Sequence, residues 1–302
     1  MSGRRLKGIV VLGLVAAVAG CGDGGGDGGP DPSAGSSVRA APAGPAASAE
    51  ARELLLPFDT YKISKADDYL IAAAEDVLMR DCMKDAGVGW TPREPVPAAG
   101  TDPPNRRRYG VIEAAVARRY GFHAPPDPAA EVRFTTERDR RANSLDEEGQ
   151  FAAYGADGTG GCWKRAHERL LDGVPESDYG ILNRYAKQAF EDGRRDGAVR
   201  EVFRAWSACV KKDGFRYPDP LTAANDPAWG GSTTPSAREL RAAESDVRCK
   251  EKTGLVTVWS AAETRIQRNL TEEHTAAFRA LRATREGYVA AARRVLGDAD
   301  GR

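Results

Sequence analysis

The chain has 302 residues, of which 41% are hydrophobic and 29% are charged, so it is long enough and apolar enough to fold around a core. Lysine plus arginine and aspartate plus glutamate both number 44, which gives a net charge of zero. A nucleic-acid-binding protein needs concentrated positive charge, so the composition argues against nucleic acid as a partner.

The first twenty residues are typical of a secretory signal peptide. Three basic residues and no acidic one precede an apolar run over residues 9–19, and a run of that length is too short to span a bilayer. Residues 18–21, Val-Ala-Gly-Cys, resemble the lipobox of bacterial lipoproteins, whose signal peptidase cuts before a cysteine that carries lipid. The resemblance implies lipidation of Cys21 and a membrane as partner, because two or three acyl chains anchor stably. An ordinary cleaved signal with an incidental Cys21 is the alternative.

Residues 21–51 are predicted to be a flexible linker that follows the lipid anchor. The segment is dense in glycine, alanine, proline and serine, a composition that forms a tether rather than a core. Residues 52–302 then form the folded part, with subunits predicted at about 52–173 and 174–302.

The first half of the folded part is predicted to be helical with irregular connections. Ser64 with Asp67, and Ser144 with Glu147, match the capping box that begins a helix. The polar segment 123–143 is interpreted as irregular. Predicted helices lie over residues 64–86, 109–120, 144–154 and 162–173.

The second half is predicted to be almost entirely helical, with helices over 176–192 and 196–213. A loop with four prolines over 215–235 separates them from a long helical stretch over 236–296. This stretch is either one bent helix or a helical hairpin broken near Asn269, which could cap a new start. Because convincing period-two alternation is missing from the sequence, the predicted fold class is all-α.

With Cys21 assigned to lipid, four cysteines remain, and an even number in an oxidising compartment predicts two disulfides. They contain no Cys-x-x-Cys pair, and the three histidines are scattered. These spacings favour two disulfides over a zinc site, and no metal or cofactor is predicted. The cysteines are Cys82, Cys162, Cys209 and Cys249.

A weak internal repeat discriminates among the three possible pairings. Residues 82–90 and 209–217 share the frame cysteine, apolar, lysine, two spacers, glycine, apolar, spacer, aromatic. In each copy the glycine ends a helix, a proline-containing loop follows, and a second cysteine arrives in a later helix. Chance is the alternative explanation of such short matches. The repeat predicts Cys82–Cys162 and Cys209–Cys249.

The mature chain resembles secreted, cysteine-containing helical lipoproteins of actinobacteria. The motifs that carry the resemblance are the lipobox, the low-complexity linker, Leu56-Pro57 followed by Tyr61, and the two Cys-[Met/Val]-Lys-x-x-Gly frames. The resemblance covers most of the mature domain. It implies an extracytoplasmic, lipid-anchored protein but no activity.

Four residues are candidates to face a ligand. Trp90 and Tyr217 occupy equivalent positions of the repeat, although aromatic residues there commonly pack over the disulfide. His123 could line a pocket or form a local hydrogen bond. Arg108 belongs to the cluster 106–108, which could bind phosphate or an acidic polymer, or be a solvated loop.

Motifs of known catalytic constellations are missing from the sequence, so an enzyme is not predicted. The favoured hypothesis is a non-catalytic interaction or accessory module at the outer face of the cytoplasmic membrane, whose long C-terminal helical stretch docks on an unidentified envelope protein or cell-wall component. The alternative is a cell-wall ligand-binding or hydrolytic domain that acts through the loops 91–108 and 215–235.

Overall fold

A computed structural model describes residues 43–300, with the side chains described as far as Gly297. Over this range the protein is all-α, as predicted, with twelve α-helices, three short 3₁₀ turns and no β-strand. The signal peptide, Cys21 and the linker up to residue 42 lie outside the described residues. The helices are α1 (Ala49–Glu53), α2 (Lys65–Asp85), α3 (Ala114–Tyr120), α4 (Ala129–Ser144), α5 (Glu147–Tyr154), α6 (Gly161–Leu171), α7 (Tyr179–Arg195), α8 (Gly197–Lys212), α9 (Pro220–Ala224), α10 (Ala237–Thr253), α11 (Leu255–Glu273) and α12 (Thr275–Asp300).

Local capping decides where several helices begin. At α2, the Ser64 hydroxyl accepts a hydrogen bond from the Asp67 amide at 3.1 Å, and the Asp67 carboxylate accepts from the Ser64 amide at 3.1 Å. The hydroxyl of Ser236 accepts from the Glu239 amide at 3.1 Å and begins α10. Both starts lie where the sequence predicts them, because a cap needs only neighbouring residues.

The prediction that 123–143 is irregular is wrong, since α4 occupies most of it. The buried residues of α4 are Phe134 and the charged Glu131, so the helix shows little apolar periodicity in the sequence. Tertiary partners stabilise it instead: the Glu131 carboxylate accepts hydrogen bonds from Lys65 at 2.8 Å and from the Tyr69 hydroxyl at 3.0 Å.

Two other helix starts differ from prediction. Helix α3 begins at Ala114 rather than at 109, because turns stabilised by hydrogen bonds such as that from the Gly110 amide to the Arg107 carbonyl come first. Helix α5 is capped by Asp146, whose carboxylate accepts from the Gly149 amide at 2.8 Å. Ser144 is the last residue of α4 and does not cap α5.

The long C-terminal stretch is three helices, neither one bent helix nor a hairpin broken near Asn269. The breaks fall at Gly254, which has a left-handed φ of +66°, and at His274. The three helices have different neighbours: α10 packs on α3 and α8, α11 on α7 and α8, and α12 on α2 and α6. Each of the three helices therefore packs on other helices of the same chain, so the stretch does not form the long free helix on which the docking hypothesis depended.

The end of the predicted linker is part of the fold. The Gly44 amide donates to the Asp127 carbonyl at 3.0 Å, and the Ser48 amide donates to the Glu113 carboxylate at 2.7 Å. Ala51, in α1, is fully buried. The composition of 43–51 resembles a tether, but tertiary hydrogen bonds position it.

The described residues form one compact unit, so the predicted subunits 52–173 and 174–302 do not pack separately. Helices from the two halves contact each other, as α12 does α2 and α10 does α3. The largest apolar cluster includes Tyr109, Trp206 and Trp259, and smaller clusters surround Phe278 and the first disulfide. Packing across the predicted boundary makes the halves interdependent.

The four cysteines pair as the repeat predicts. Cys82–Cys162 joins α2 to α6, with an S–S distance of 1.99 Å and a Cα–Cα distance of 5.7 Å. Cys209–Cys249 joins α8 to α10, with distances of 2.04 Å and 5.8 Å. Both Cα separations are normal for disulfides.

Candidate functional site: an aromatic groove

A groove of about 310 Å³ opens between α2, α4 and the α5–α6 pair. Its lining is mostly aromatic and apolar, with arginines and carboxylates among the rings. We call it the aromatic groove. Its principal side chains are Tyr69, Asp76, Met79, Trp90, Arg93, Phe134, Arg138, Arg141, Tyr154 and Trp163.

The centre of the groove is a carboxylate held by two guanidinium groups. Asp76 is 2% exposed. Its carboxylate accepts from Arg93 Nε at 2.6 Å and from Arg141 Nη2 at 2.8 Å. Arg93 comes from the loop after α2 and Arg141 from the last turn of α4. Because two positive charges face one negative charge, this cluster has a local excess of one positive charge.

Each guanidinium also lies over an aromatic ring. Arg141 Cζ is 3.7 Å from the ring centroid of Trp90, and Arg93 Cζ is 4.1 Å from that of Phe134. Such cation–π contacts hold both partners in place. Buried N–H groups of Trp90 (Nε1), Arg93 (Nη1) and Arg141 (Nε) find no acceptor among the described residues. These N–H groups are themselves buried, so ion pairs and cation–π contacts, rather than free donors, define this wall of the groove.

Titratable carboxylates lie along the α2 side of the groove. Asp68 reaches the surface, yet surrounding atoms desolvate its carboxylate and the neighbouring Asp67 repels it, which raises its pKa to about 6. Glu75 accepts from His167 Nδ1 at 2.6 Å, and this hydrogen bond raises the pKa of His167. The charge along this rim therefore changes between mildly acidic and neutral pH.

Of the four residues predicted to face a ligand, only Trp90 lines the aromatic groove. It is 7% exposed and packs in the apolar cluster around the first disulfide, so its ring forms part of the groove wall and has little surface free to contact a ligand. Tyr217 packs beside the largest cluster and donates its hydroxyl to Asp226 at 2.6 Å. The two repeat-equivalent aromatics thus belong to different clusters.

Arg108 and His123 serve internal contacts. Arg108 Nε donates to the fully buried Glu263 at 2.9 Å. His123 Nδ1 lies 2.7 Å from the Glu239 carboxylate and Nε2 lies 2.9 Å from the Ser232 carbonyl. Neither residue lines the groove.

All three arginines of the cluster 106–108 donate hydrogen bonds to groups of the protein itself. Arg106 donates to Glu113 at 2.6 Å and to Asp102 at 2.6 Å. Arg107 donates to the Phe122 carbonyl at 2.7 Å.

Sequence reasoning missed most of the residues that form the groove. Asp76 lies on α2 among buried apolar positions, and Phe134 and Arg141 lie in the segment interpreted as irregular. The available signal was the spacing of seven between Phe134 and Arg141, which places them on one face of a helix. The sequence does not show which part of the chain packs on that face of the helix. The spacing alone therefore did not identify a groove.

Fold and groove together define an all-α, disulfide-tied domain with a preformed aromatic concavity. Within the described residues, no helix is long and apolar enough to cross a membrane, and no group of three or more histidine, cysteine, aspartate or glutamate side chains could hold a metal ion. Comparisons with protein-family models, with curated proteins and with solved structures find no match.

Proposed function

We propose that this protein is a non-catalytic interaction module, anchored at the outer face of the cytoplasmic membrane through lipid on Cys21, that binds an envelope component in the aromatic groove. The groove carries the proposal, because a concave surface with aromatic walls and a few placed polar groups is the usual form of a binding site. The lipobox-like residues and the two disulfides support the extracytoplasmic location.

The groove is suited to binding because its wall is already ordered. Asp76 ties the loop after α2 to α4 through Arg93 and Arg141, and both guanidinium groups rest on rings. A preformed site loses little conformational entropy when it binds. The same contacts engage Asp76 fully, which favours binding over acid–base catalysis there.

Site-specific photo-crosslinking in the native envelope tests this proposal. A photoreactive residue at Arg138, on the exposed rim of the groove, is compared with one at Arg204, which is exposed on α8. We expect one crosslinked envelope component from position 138, none from 204, and loss of the product in a Cys21→Ala strain. Equal products from the two positions, or no product from 138, would reject the proposal.

A second candidate function is recognition of ring-containing cell-wall material. Five aromatic side chains line the groove, and the exposed guanidinium of Arg138 on its rim can donate to a ligand with hydroxyl, carbonyl or carboxylate oxygens. Nothing among the described residues favours the hydrolytic version of this function.

Calorimetry of the whole chain with muropeptides and sugar fragments tests the second candidate. Trp163→Ala removes a ring from the groove wall and is expected to weaken binding about tenfold, since aromatic contacts are worth about 0.5–1.5 kcal/mol beyond their buried area. Phe151→Ala is the matched control, because Phe151 is 63% exposed on α5 and does not line the groove. Absence of binding at millimolar ligand would remove this candidate.

A further inference from the structure

The two disulfides share one sequence frame but have different charged groups closest to their sulfurs. Each begins at a cysteine near the carboxyl end of a helix, Cys82 in α2 and Cys209 in α8. In each disulfide this first cysteine is half-buried and the second cysteine is fully buried. With burial so similar, the charged groups beside the sulfurs are the next feature to compare.

Positive charge lies beside the Cys82–Cys162 bridge. Arg165 Nη2 donates to Cys82 Sγ at 2.7 Å and lies 3.4 Å from Cys162 Sγ. A cavity of about 330 Å³ opens at the bridge, and Arg165 and Arg169 both line it. Two carboxylates, Asp81 and Asp85, also line the cavity, and Arg165 differs from every other charged group there in its contact with both sulfurs.

Negative charge lies beside the Cys209–Cys249 bridge. The Asp213 carboxylate is 4.0 Å from Cys249 Sγ. Arg248 and Ser245 both donate to this carboxylate, which holds it in place, and Arg248 offsets part of its charge. A thiolate formed here would face a carboxylate, whereas a thiolate at the first bridge would face Arg165.

Helix position adds to the difference. Cys162 is the second residue of α6, where the amino end of the helix stabilises negative charge. Cys249 and Cys209 both lie near the carboxyl ends of their helices, α10 and α8, where the helix dipole opposes negative charge. Cys82, like Cys209, lies near the carboxyl end of its helix, so the helix contribution separates the two bridges only at Cys162, where it acts together with Arg165 to favour a thiolate.

We propose that Cys82–Cys162 is a thiol–disulfide exchange site for a dithiol protein of the cell envelope, and that Cys209–Cys249 is a permanent structural bridge. A thiolate of the dithiol attacks the half-buried Cys82 Sγ and forms a mixed disulfide, while Cys162 leaves as a thiolate beside Arg165. The second thiol of the partner then attacks the mixed disulfide and releases Cys82. Two electrons pass to the bridge, the dithiol becomes a disulfide, and its two protons go to the cysteine sulfurs or to solvent.

The exchange has a consequence for the aromatic groove. The bridge holds the first turn of α6 against α2, and Trp163, the next residue, lines the groove. Opening the bridge frees that wall.

Equilibration of the whole chain in graded ratios of reduced to oxidised dithiothreitol tests the proposal, with alkylation and peptide mass spectrometry to follow each pair. We expect Cys82–Cys162 to be half-reduced at a ratio of reduced to oxidised dithiothreitol at least about tenfold lower than the ratio that half-reduces Cys209–Cys249. This corresponds to a difference in reduction potential of about 30 mV for a two-electron couple. Limiting reductant, applied briefly, is expected to open Cys82–Cys162 first. Equal midpoints with equal initial rates, or earlier opening of Cys209–Cys249, would overturn the proposal.

Charge variants separate this explanation from simple accessibility. Arg165→Gln is expected to raise the ratio needed at Cys82–Cys162 at least about threefold and to leave the other bridge unchanged, because removal of the cation destabilises the thiolate. Asp213→Asn is expected to lower the ratio needed at Cys209–Cys249. Arg184→Gln, exposed on α7, is the matched control, and circular dichroism verifies that each variant is folded. If Arg165→Gln leaves the first midpoint unchanged, the proposal is wrong.

Discussion

At the scale of single residues, buried charges hold this protein together through defined partners. Glu263 is fully buried, and its carboxylate accepts hydrogen bonds from Arg108, from the Tyr109 hydroxyl at 2.9 Å and from Gln267 at 2.8 Å. Burial and this carboxylate raise the pKa of Tyr109. Gln267 in turn accepts from the Phe58 amide at 2.8 Å. The network therefore connects α11 to two distant segments of the chain.

Removing the charge of Glu263 tests how much this network matters. We expect Glu263→Gln to lower the free energy of unfolding by about 3 kcal/mol or more, because Arg108 is left largely buried without its counter-ion. Urea unfolding measures the change. Glu272→Gln, exposed on the same helix, is expected to change stability by less than about 0.5 kcal/mol. Equal effects of the two substitutions would show that Glu263 does not stabilise the fold.

The contacts of His123 predict a pH-dependent contribution to stability. The Ser232 carbonyl and the Glu239 carboxylate both accept from its ring, which raises the pKa of His123. A raised folded-state pKa gives a contribution that is fully present below the unfolded value of about 6.5 and is lost as pH rises through the folded value. We expect the stability difference between the wild type and His123→Ala to shrink over that rise.

Urea unfolding of both proteins between pH 5 and pH 9 measures this difference, and the contribution of His167, present in both, cancels. Nuclear magnetic resonance of the imidazole gives the pKa of His123 directly. A stability difference that is independent of pH, or a pKa of His123 below its ordinary value, would contradict the assignment.

At the scale of helices, the sequence repeat corresponds to two helix ends with the same hydrogen bonds. The Val88 amide donates to the Met83 carbonyl at 2.9 Å, and the Phe215 amide donates to the Val210 carbonyl at 3.1 Å. Gly87 and Gly214 have positive φ of 74° and 88°. This pattern is a Schellman motif, in which glycine adopts the left-handed conformation at lowest cost.

Alanine substitution tests whether the two helix ends are equivalent. We expect Gly87→Ala and Gly214→Ala each to lower the free energy of unfolding by about 1–2 kcal/mol, because both force a Cβ into left-handed backbone. A Cβ added at either glycine would meet no other side chain or distant backbone atom within 4 Å, so steric overlap adds nothing to the cost. Gly89→Ala, also in open space but without positive φ, is the control and is expected to be close to neutral. Clearly unequal costs at the two helix ends would show that they are not equivalent.

Helix starts that are set by neighbouring residues were predicted correctly. Helices and site residues that depend on contacts with distant parts of the chain were missed. The caps of α2 and α10, and the cysteine pairing, follow from residues close together or from a repeated frame. Helix α4 was missed because its buried residues are one apolar side chain, Phe134, and one charged side chain, Glu131, which together give no apolar periodicity. Trp90 was the only groove residue proposed from the sequence.

At the scale of the whole molecule, α12 packs against segments that lie more than 200 residues earlier in the sequence, around Phe58 and Tyr61. Phe278, 1% exposed, packs with ring-centroid distances of 4.8 Å to Phe58, 4.8 Å to Tyr61 and 5.9 Å to Tyr185. Phe58 and Tyr61 belong to the 3₁₀ helix Pro57–Tyr61, and Tyr185 belongs to α7. Packing of this kind explains why the two predicted subunits form one unit.

Truncation of Phe278 tests the connection. We expect Phe278→Ala to cost about 3–5 kcal/mol, since a buried aromatic side chain is lost and a cavity remains. Arg279→Ala, exposed one residue further along α12, is expected to cost less than about 0.5 kcal/mol. Urea unfolding followed by both far-ultraviolet circular dichroism and tryptophan fluorescence is expected to give coincident transitions. Separate transitions would show that the two halves unfold independently.

The amino-acid sequence alone determined the helical class, the capped starts of α2 and α10 and the partners of the four cysteines, because neighbouring residues and a repeated frame carry those signals. Tertiary structure decided the rest. It set the breaks at Gly254 and His274, placed Arg108 against Glu263, and brought Asp76 between Arg93 and Arg141. A charged or aromatic side chain acquires its role from the group that faces it, and in this protein those groups come from distant parts of the chain.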